Sequence, residues 1–142
     1  MYTLKIESAF DSAHFLSGYE GKCGNIHGHR WRVEARVSAE ELVSEGQQRG
    51  MLLDFKDLKK ILRKETEYLD HAFIIEKGSL PEKLYEMLTE SFRIISVDFR
   101  PTAENFSKYF FDRLKEHGLS VYDVTVYETP NNCATYSEQA VR

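Results

Sequence analysis

The stretch HGHRWRVEARV, residues 27–37, governs how the rest of the chain is read. From Trp31 onward its odd positions, Trp31, Val33, Ala35 and Val37, are apolar, while the even positions Arg30, Arg32, Glu34 and Arg36 are charged. Successive side chains of a strand point to opposite faces, so this is a strand with one face in a core and the other in water. His27 and His29 share the inward parity, and Gly28 between them adds no bulk. Upstream, TLKIESAFDSAH (residues 3–14) repeats the pattern: Leu4, Ile6 and Phe10 alternate with Lys5, Glu7 and Asp11, and Ser8, Ser12 and His14 fall on the inward parity. The segment between, FLSGYEGKCGNI, carries three glycines and reads as a long hairpin loop. The two strands are therefore expected to pair antiparallel, which brings His14 beside His27 and His29.

Three imidazoles gathered in this way suit a metal ion. Neutral imidazole nitrogen binds zinc at about 2.0–2.1 Å, and three such ligands leave a fourth tetrahedral position open. A single inward histidine is more often an ordinary core residue; convergence from both strands of one hairpin is what favours metal. Cys23, four residues before His27, could close the shell as a fourth ligand or stand beside an open ion as an acid–base group, and spacing leaves both readings standing. In YDVTVYET, residues 122–129, the inward parity runs Tyr122, Val124, Val126 and then Glu128, an acid ending an apolar row. Such a carboxylate needs donors, and a ligand edge with two adjacent N–H groups would supply them. Asp70 and His71 follow a helical pattern and offer a carboxylate that could fix an imidazole tautomer, although the dipeptide is common. His117 and Cys133 read as structural.

The wider chain is consistent with one domain over residues 1–142, since 142 residues at 42% hydrophobic content can bury one core and not two ordinary ones. A net charge of -4 argues against nucleic-acid or anionic-membrane partners. The alternating N-terminus lacks the apolar run of a signal peptide, and no long apolar stretch follows, so the expected compartment is the cytoplasm and the two cysteines are expected to be thiols. MLLDF, residues 51–55, reads as a short strand leading to a helix capped by Asp54, with Phe55, Leu58, Ile61, Leu62 and Leu69 on one side and Lys56, Lys59, Lys60, Arg63 and Lys64 on the other. That basic face reads as solvated. A second helix is expected to start with Pro81 in its first position, RIISVDF reads as a short strand, and Thr102 caps a helix to about His117 with Phe106, Phe110 and Leu114 inward. Two β-runs joined by TPNN close the chain.

Taken together, SAH with His14, CGNIHGH with Cys23, His27 and His29, LDFKDLK, LDH with Asp70 and His71, PTAEN with Glu104, and VYETPNN with Glu128 resemble the family of 6-pyruvoyl-tetrahydropterin and 6-carboxytetrahydropterin synthases. The resemblance runs nearly end to end. It implies an α+β T-fold, an antiparallel sheet carrying helices on one face, closed into a barrel by trimers or dimers of trimers, with sites shared between subunits. It also implies one zinc ion per subunit on His14, His27 and His29, Cys23 as the acid–base thiol assisted by Asp70 and His71, and Glu128 as the pterin anchor, with Thr102 and Glu104 contributing pterin contacts. The three residues between Cys23 and His27 resemble the branch that makes 6-carboxytetrahydropterin for queuosine from 7,8-dihydroneopterin triphosphate, releasing acetaldehyde and triphosphate. The alternatives are a 6-pyruvoyl-tetrahydropterin synthase and a non-catalytic zinc module. AFIIEKGS, after LDH, departs from the family's usual continuation.

Overall fold

A computed structural model describes residues 1–139 of the chain; residues 140–142, at the end of the expected domain, lie outside the described residues. The two alternating stretches form β1 (Tyr2–His14) and β2 (His27–Ala39). They pair antiparallel without a register slip, setting Ile6 opposite Ala35, Phe10 opposite Trp31, Ser12 opposite His29 and His14 opposite His27. Because side-chain parity is two, a one-residue slip would turn every inward side chain outward; the common burial of Phe10, Trp31, Val33 and Ala35 fixes the pairing.

After β2 come α1 (Phe55–Leu69), β3 (Ala72–Glu76), α2 (Glu82–Ser91), β4 (Ile94–Val97), α3 (Ala103–Glu116), β5 (Val121–Thr129) and β6 (Asn132–Tyr136). The sheet order is β4-β3-β1-β2-β5-β6. β1, β2, β5 and β6 form the antiparallel part that was expected, whereas β3 joins β1 in parallel and β4 joins β3 in parallel, so the whole sheet is mixed. β3 lies in the AFII run that departs from the family pattern. A short strand with Ala72, Ile74 and Ile75 all buried carries no two-residue period, and a parallel pair needs a crossover, here supplied by α2.

Two local expectations are corrected. Residues 51–54 form no strand; Leu52 and Leu53 pack half-buried against the core from an irregular segment, and Asp54 caps α1 by accepting from the Lys56 amide at 2.9 Å. Pro81 stands just before α2 rather than inside it, with extended ψ of 138°, and its carbonyl accepts the Tyr85 amide. α1 turns Leu58, Leu62, Thr66 and Leu69 inward and leaves Phe55 exposed.

α1 and α3 contact each other and rest on the sheet, α1 over β1 and α3 over β5 and β6. α3 drives Phe106 edge-on into Trp31, with ring centroids 4.9 Å apart, and Phe10 stacks on Trp31 at 5.9 Å. Each such ring taken from water contributes roughly 1.5–3 kcal/mol. The helices are also tied by charge: buried Glu65 of α1 accepts from Arg113 Nε at 3.0 Å and faces His117 Nε2 at 2.8 Å. Burial alone would raise Glu65, but its bonds to Arg113 and His117 outweigh that and hold the carboxyl below its ordinary range.

Candidate metal centre

The loop end of the β1–β2 hairpin gathers His14, His27 and His29 with Glu128, and their ligand-capable atoms all lie within 4.8 Å of one another. The aromatic core forms its floor, with Trp31 edge-on to His14 at 4.9 Å and to His29 at 5.3 Å. Glu128 comes from the end of β5, where the pairing with β6 breaks register between Tyr127 and Thr129, an irregularity that re-aims side chains. Its Oε1 stands 3.2 Å from His29 Nε2 and 3.5 Å from His14 Nε2.

The hydrogen bonds at the rear of the rings determine what the front can do. His14 Nδ1 lies 2.7 Å from the Pro101 carbonyl, and His27 Nδ1 lies 2.7 Å from the Asn25 carbonyl. A carbonyl only accepts, so each Nδ1 carries the proton and each Nε2 presents a lone pair. Those two Nε2 atoms are 3.0 Å apart. Two lone pairs at that distance repel unless a cation sits between them. His29 Nε2 is buried and has no hydrogen-bond partner of its own among the described residues, which is costly in the absence of an ion. Three of the separations between donors, 3.0, 3.2 and 3.5 Å within a cluster that spans up to 4.8 Å, lie close to the edge of about 3.3 Å that tetrahedral bonds of about 2.0–2.1 Å generate. The donor set therefore fits a small divalent ion.

His14 is 1% exposed, and burial pushes its pKa down to about 4, with the Pro101 hydrogen bond pulling the other way and His27 and His29 adding to the decrease. Burial also lowers His29, partly offset by Glu128. Both rings are thus neutral near pH 7, the state that ligates metal.

The other expected site residues stand outside this cluster. Cys23 is half-buried in a short 3-10 turn, Lys22–Gly24, and its sulfur is not among the converging atoms. Asp70 and His71 form their own pair on the side of β1 away from β2: Asp70 Oδ1 accepts the Asp11 amide at 2.7 Å, and Oδ2 accepts from His71 Nδ1 at 2.8 Å. The Asp11 amide is the main cause of an Asp70 carboxyl held below its ordinary range. His71 is mostly exposed and holds a left-handed φ of 53°, secured by its amide donating to the Asp11 carbonyl. Thr102 caps α3, accepting the Asn105 amide at 3.2 Å, and exposed Glu104 occupies the first turn. Thr102 directly follows Pro101, whose carbonyl orients His14.

Sequence reasoning missed the two orienting carbonyls. Asn25, two residues before His27, was within reach of a local argument; Pro101, 87 positions from His14, was not. The arginines of β2 are also more committed than their pattern suggests. Arg30 pairs with Asp11, Arg32 with Glu34 and Glu7, and Arg36 with Asp123, while Arg32 and Arg36 stack on Tyr127 and Tyr122.

The fold and the donor cluster together define a T-fold protein, α+β, with a three-histidine and one-carboxylate centre competent to hold metal. Residues 3–139 match the family model described as 6-pyruvoyl tetrahydropterin synthase, and the chain belongs to that family. It is 35% identical to the 6-carboxy-5,6,7,8-tetrahydropterin synthase of Haemophilus influenzae over 97% of this chain and 100% of that one. It is 33% identical to the protein of the same description from Aquifex aeolicus, over 83% of this chain and 77% of the relative. Among solved structures, an uncharacterised protein of Wolinella succinogenes superposes with a TM-score of 0.76 at 23% identity, covering 97% and 98% of the two chains. The 6-pyruvoyl tetrahydropterin synthase of Plasmodium vivax does so at 0.70 and 22%, covering 98% of each. These two share the fold.

Proposed function

We propose that this chain is a zinc-dependent 6-carboxy-5,6,7,8-tetrahydropterin synthase, converting 7,8-dihydroneopterin triphosphate and water to 6-carboxytetrahydropterin, acetaldehyde and triphosphate, a step toward queuosine. The observation that carries this reading is the convergence of His14, His27, His29 and Glu128 in a chain related over 97% of its length to a synthase of that description. His14, His27 and His29 would hold the zinc, which would supply a Lewis acid beside the hydroxylated side chain of the substrate.

This chain's own groups do the rest. Cys23 moves the proton of the C–H next to the polarised oxygen. Asp70 fixes the His71 tautomer through its 2.8 Å hydrogen bond, leaving the outward ring nitrogen as an acceptor for the thiol proton. Glu128 leaves the metal corner to accept the paired N–H groups of the pterin's amino edge, with Thr102 and Glu104 completing the pterin contacts. The exposure of His71, and the fact that Asp70 and His71 are not among the residues of the histidine cluster, suit a site assembled from neighbouring subunits of a trimer or a dimer of trimers. The Cys23 sulfur lies outside the cluster, which favours a catalytic ion over a structural zinc closed by Cys23.

The nearest rival is 6-pyruvoyl-tetrahydropterin synthesis on the same substrate, the activity named in the family's description and in the Plasmodium relative. Incubating zinc-loaded protein with dihydroneopterin triphosphate and identifying the products separates the two. Release of acetaldehyde is expected; consumption of substrate without it would transfer the assignment to the rival. Cys23→Ala is expected to lower turnover about 100- to 10,000-fold while zinc is retained. Sulfur in the resting zinc shell, with metal lost in that variant, would support the structural module instead.

A further inference from the structure

Among the described residues, the half-buried Arg100 is the one cation next to the site with an unexplained burial. It makes no ion pair with any described carboxylate, and its Nε–H is buried without an acceptor among the described residues. A guanidinium held that way costs stability rather than supplying it. What it does contact is the loop that carries Cys23: Nη2 donates to the Ser17 carbonyl at 2.9 Å, and the guanidinium carbon lies 5.8 Å from the centre of the Tyr19 ring.

That loop is folded around Tyr19. The Leu16 amide donates to the Cys23 carbonyl at 2.8 Å, the Tyr19 amide to the Leu16 carbonyl at 3.3 Å, and the Gly24 amide to the Gly21 carbonyl at 3.1 Å. A Cβ on Gly21, whose φ is 147°, would meet the Tyr19 ring at 2.9 Å, and one on Gly24 would meet the Tyr19 carbonyl at 2.7 Å. The glycines flanking the cysteine thus leave room for Tyr19 and for nothing larger than hydrogen. On its other side, Arg100 is fixed through its carbonyl, which accepts the Thr102 amide at 2.8 Å and the Asn105 side-chain amide at 2.9 Å. Its neighbour Pro101 supplies the carbonyl that orients His14.

We propose that Arg100 is a positioning residue that clamps the Cys23 loop to the same short segment that aligns His14, so that thiol and metal corner are held in one frame. The inference rests on the proposed role of Cys23 for its catalytic consequence, but not for the clamp itself. Residues 100–102 then serve both halves of the site: one carbonyl sets the tautomer of a metal ligand, and one side chain holds the thiol loop.

The test is hydrogen exchange on substrate-free, metal-loaded protein, together with steady-state kinetics. In Arg100→Gln, exchange at the Leu16, Tyr19 and Gly24 amides is expected to rise at least about tenfold, since a local tie worth about 1.4 kcal/mol changes an opening equilibrium by that factor. Metal content is expected to stay at the wild-type level. Turnover is expected to fall with KM nearly unchanged, as for a misplaced proton-transfer group, and Arg100→Lys, which keeps the charge and one donor, is expected to restore part of the protection. Tyr19→Leu, at an exposed ring, gives the same exchange signature and serves if Arg100→Gln fails to fold. Unchanged exchange across residues 16–24 in a folded Arg100→Gln, or equal loss of protection throughout the chain, would overturn the clamp. Wild-type protein that turns over no dihydropterin triphosphate would instead overturn the proposed function and leave the exchange result standing.

Discussion

The histidines at the end of β1 and β2 illustrate how little of a residue's chemistry is its own. His14, His27 and His29 are alike in sequence, yet two are committed at Nδ1 to backbone carbonyls, while the third has a buried Nε2 with no well-aligned hydrogen bond among the described residues, only the Glu128 carboxylate 3.2 Å away. Removing one donor should therefore strip the metal: His27→Ala is expected to lose bound zinc on dialysis. Glu128 should behave differently if its task is to hold the pterin. Glu128→Gln is expected to keep zinc and raise KM at least about tenfold, because the amide cannot accept two N–H groups as the carboxylate does. Zinc lost from Glu128→Gln, measured by elemental analysis, would make the carboxylate a standing ligand. The buried His14 sets a pH limit as well. Its folded value of about 4 lies below the ordinary 6.5, so between those values the unfolded chain binds a proton that the folded chain refuses. Metal-free protein is expected to lose stability as pH falls from about 6.5 to about 4, by up to about 3 kcal/mol from this group. Denaturant melts at successive pH values measure the slope, and His14→Asn should flatten it; an unchanged slope in that variant would assign it to other groups.

Among the elements, α3 does most to connect fold and site. Its inward face, Phe106, Phe110 and Leu114, was legible from periodicity and is buried as expected, with Phe106 on Phe10 and Trp31 and Phe110 on Phe10. Its cap was legible too, since Thr102 precedes a helical pattern and its hydroxyl accepts the Asn105 amide. What periodicity does not contain is that the residue before the cap reaches His14. Thr102→Ala is expected to cost about 1 kcal/mol of stability and, by loosening the Pro101 carbonyl, to weaken zinc binding; Thr102→Ser should preserve both. Calorimetry and a competitive chelator titration check the pair, and a destabilised variant with undiminished zinc affinity would uncouple cap from site. β3 marks where pattern reading reached its limit. In AFIIE the buried residues Ala72, Ile74 and Ile75 do not alternate, as in a parallel strand flanked on both edges and buried on more than one face.

Across the whole molecule, the sheet ends in two short open edges, β4 and β6, whose unpaired backbone groups can be joined by another chain. Sedimentation is expected to give a particle of three or six 16.6 kDa chains, and a monomer at micromolar concentration would contradict a site shared between subunits. No helix among the described residues is long and apolar enough to cross a membrane. The sequence by itself determined the hairpin, its antiparallel pairing and the inward parity of His14, His27, His29 and Glu128, because alternation is a local property of a strand. It also determined the two helices that cover the sheet and their caps. Only the tertiary structure decided that Glu128 meets the histidines at a break in strand pairing, that Pro101 and Asn25 set the ring tautomers, that β3 and β4 run parallel, and that Arg100 holds the cysteine loop. These are contacts between backbone and side chain, most of them distant in sequence, and no periodicity along the chain encodes which carbonyl a folded ring will find.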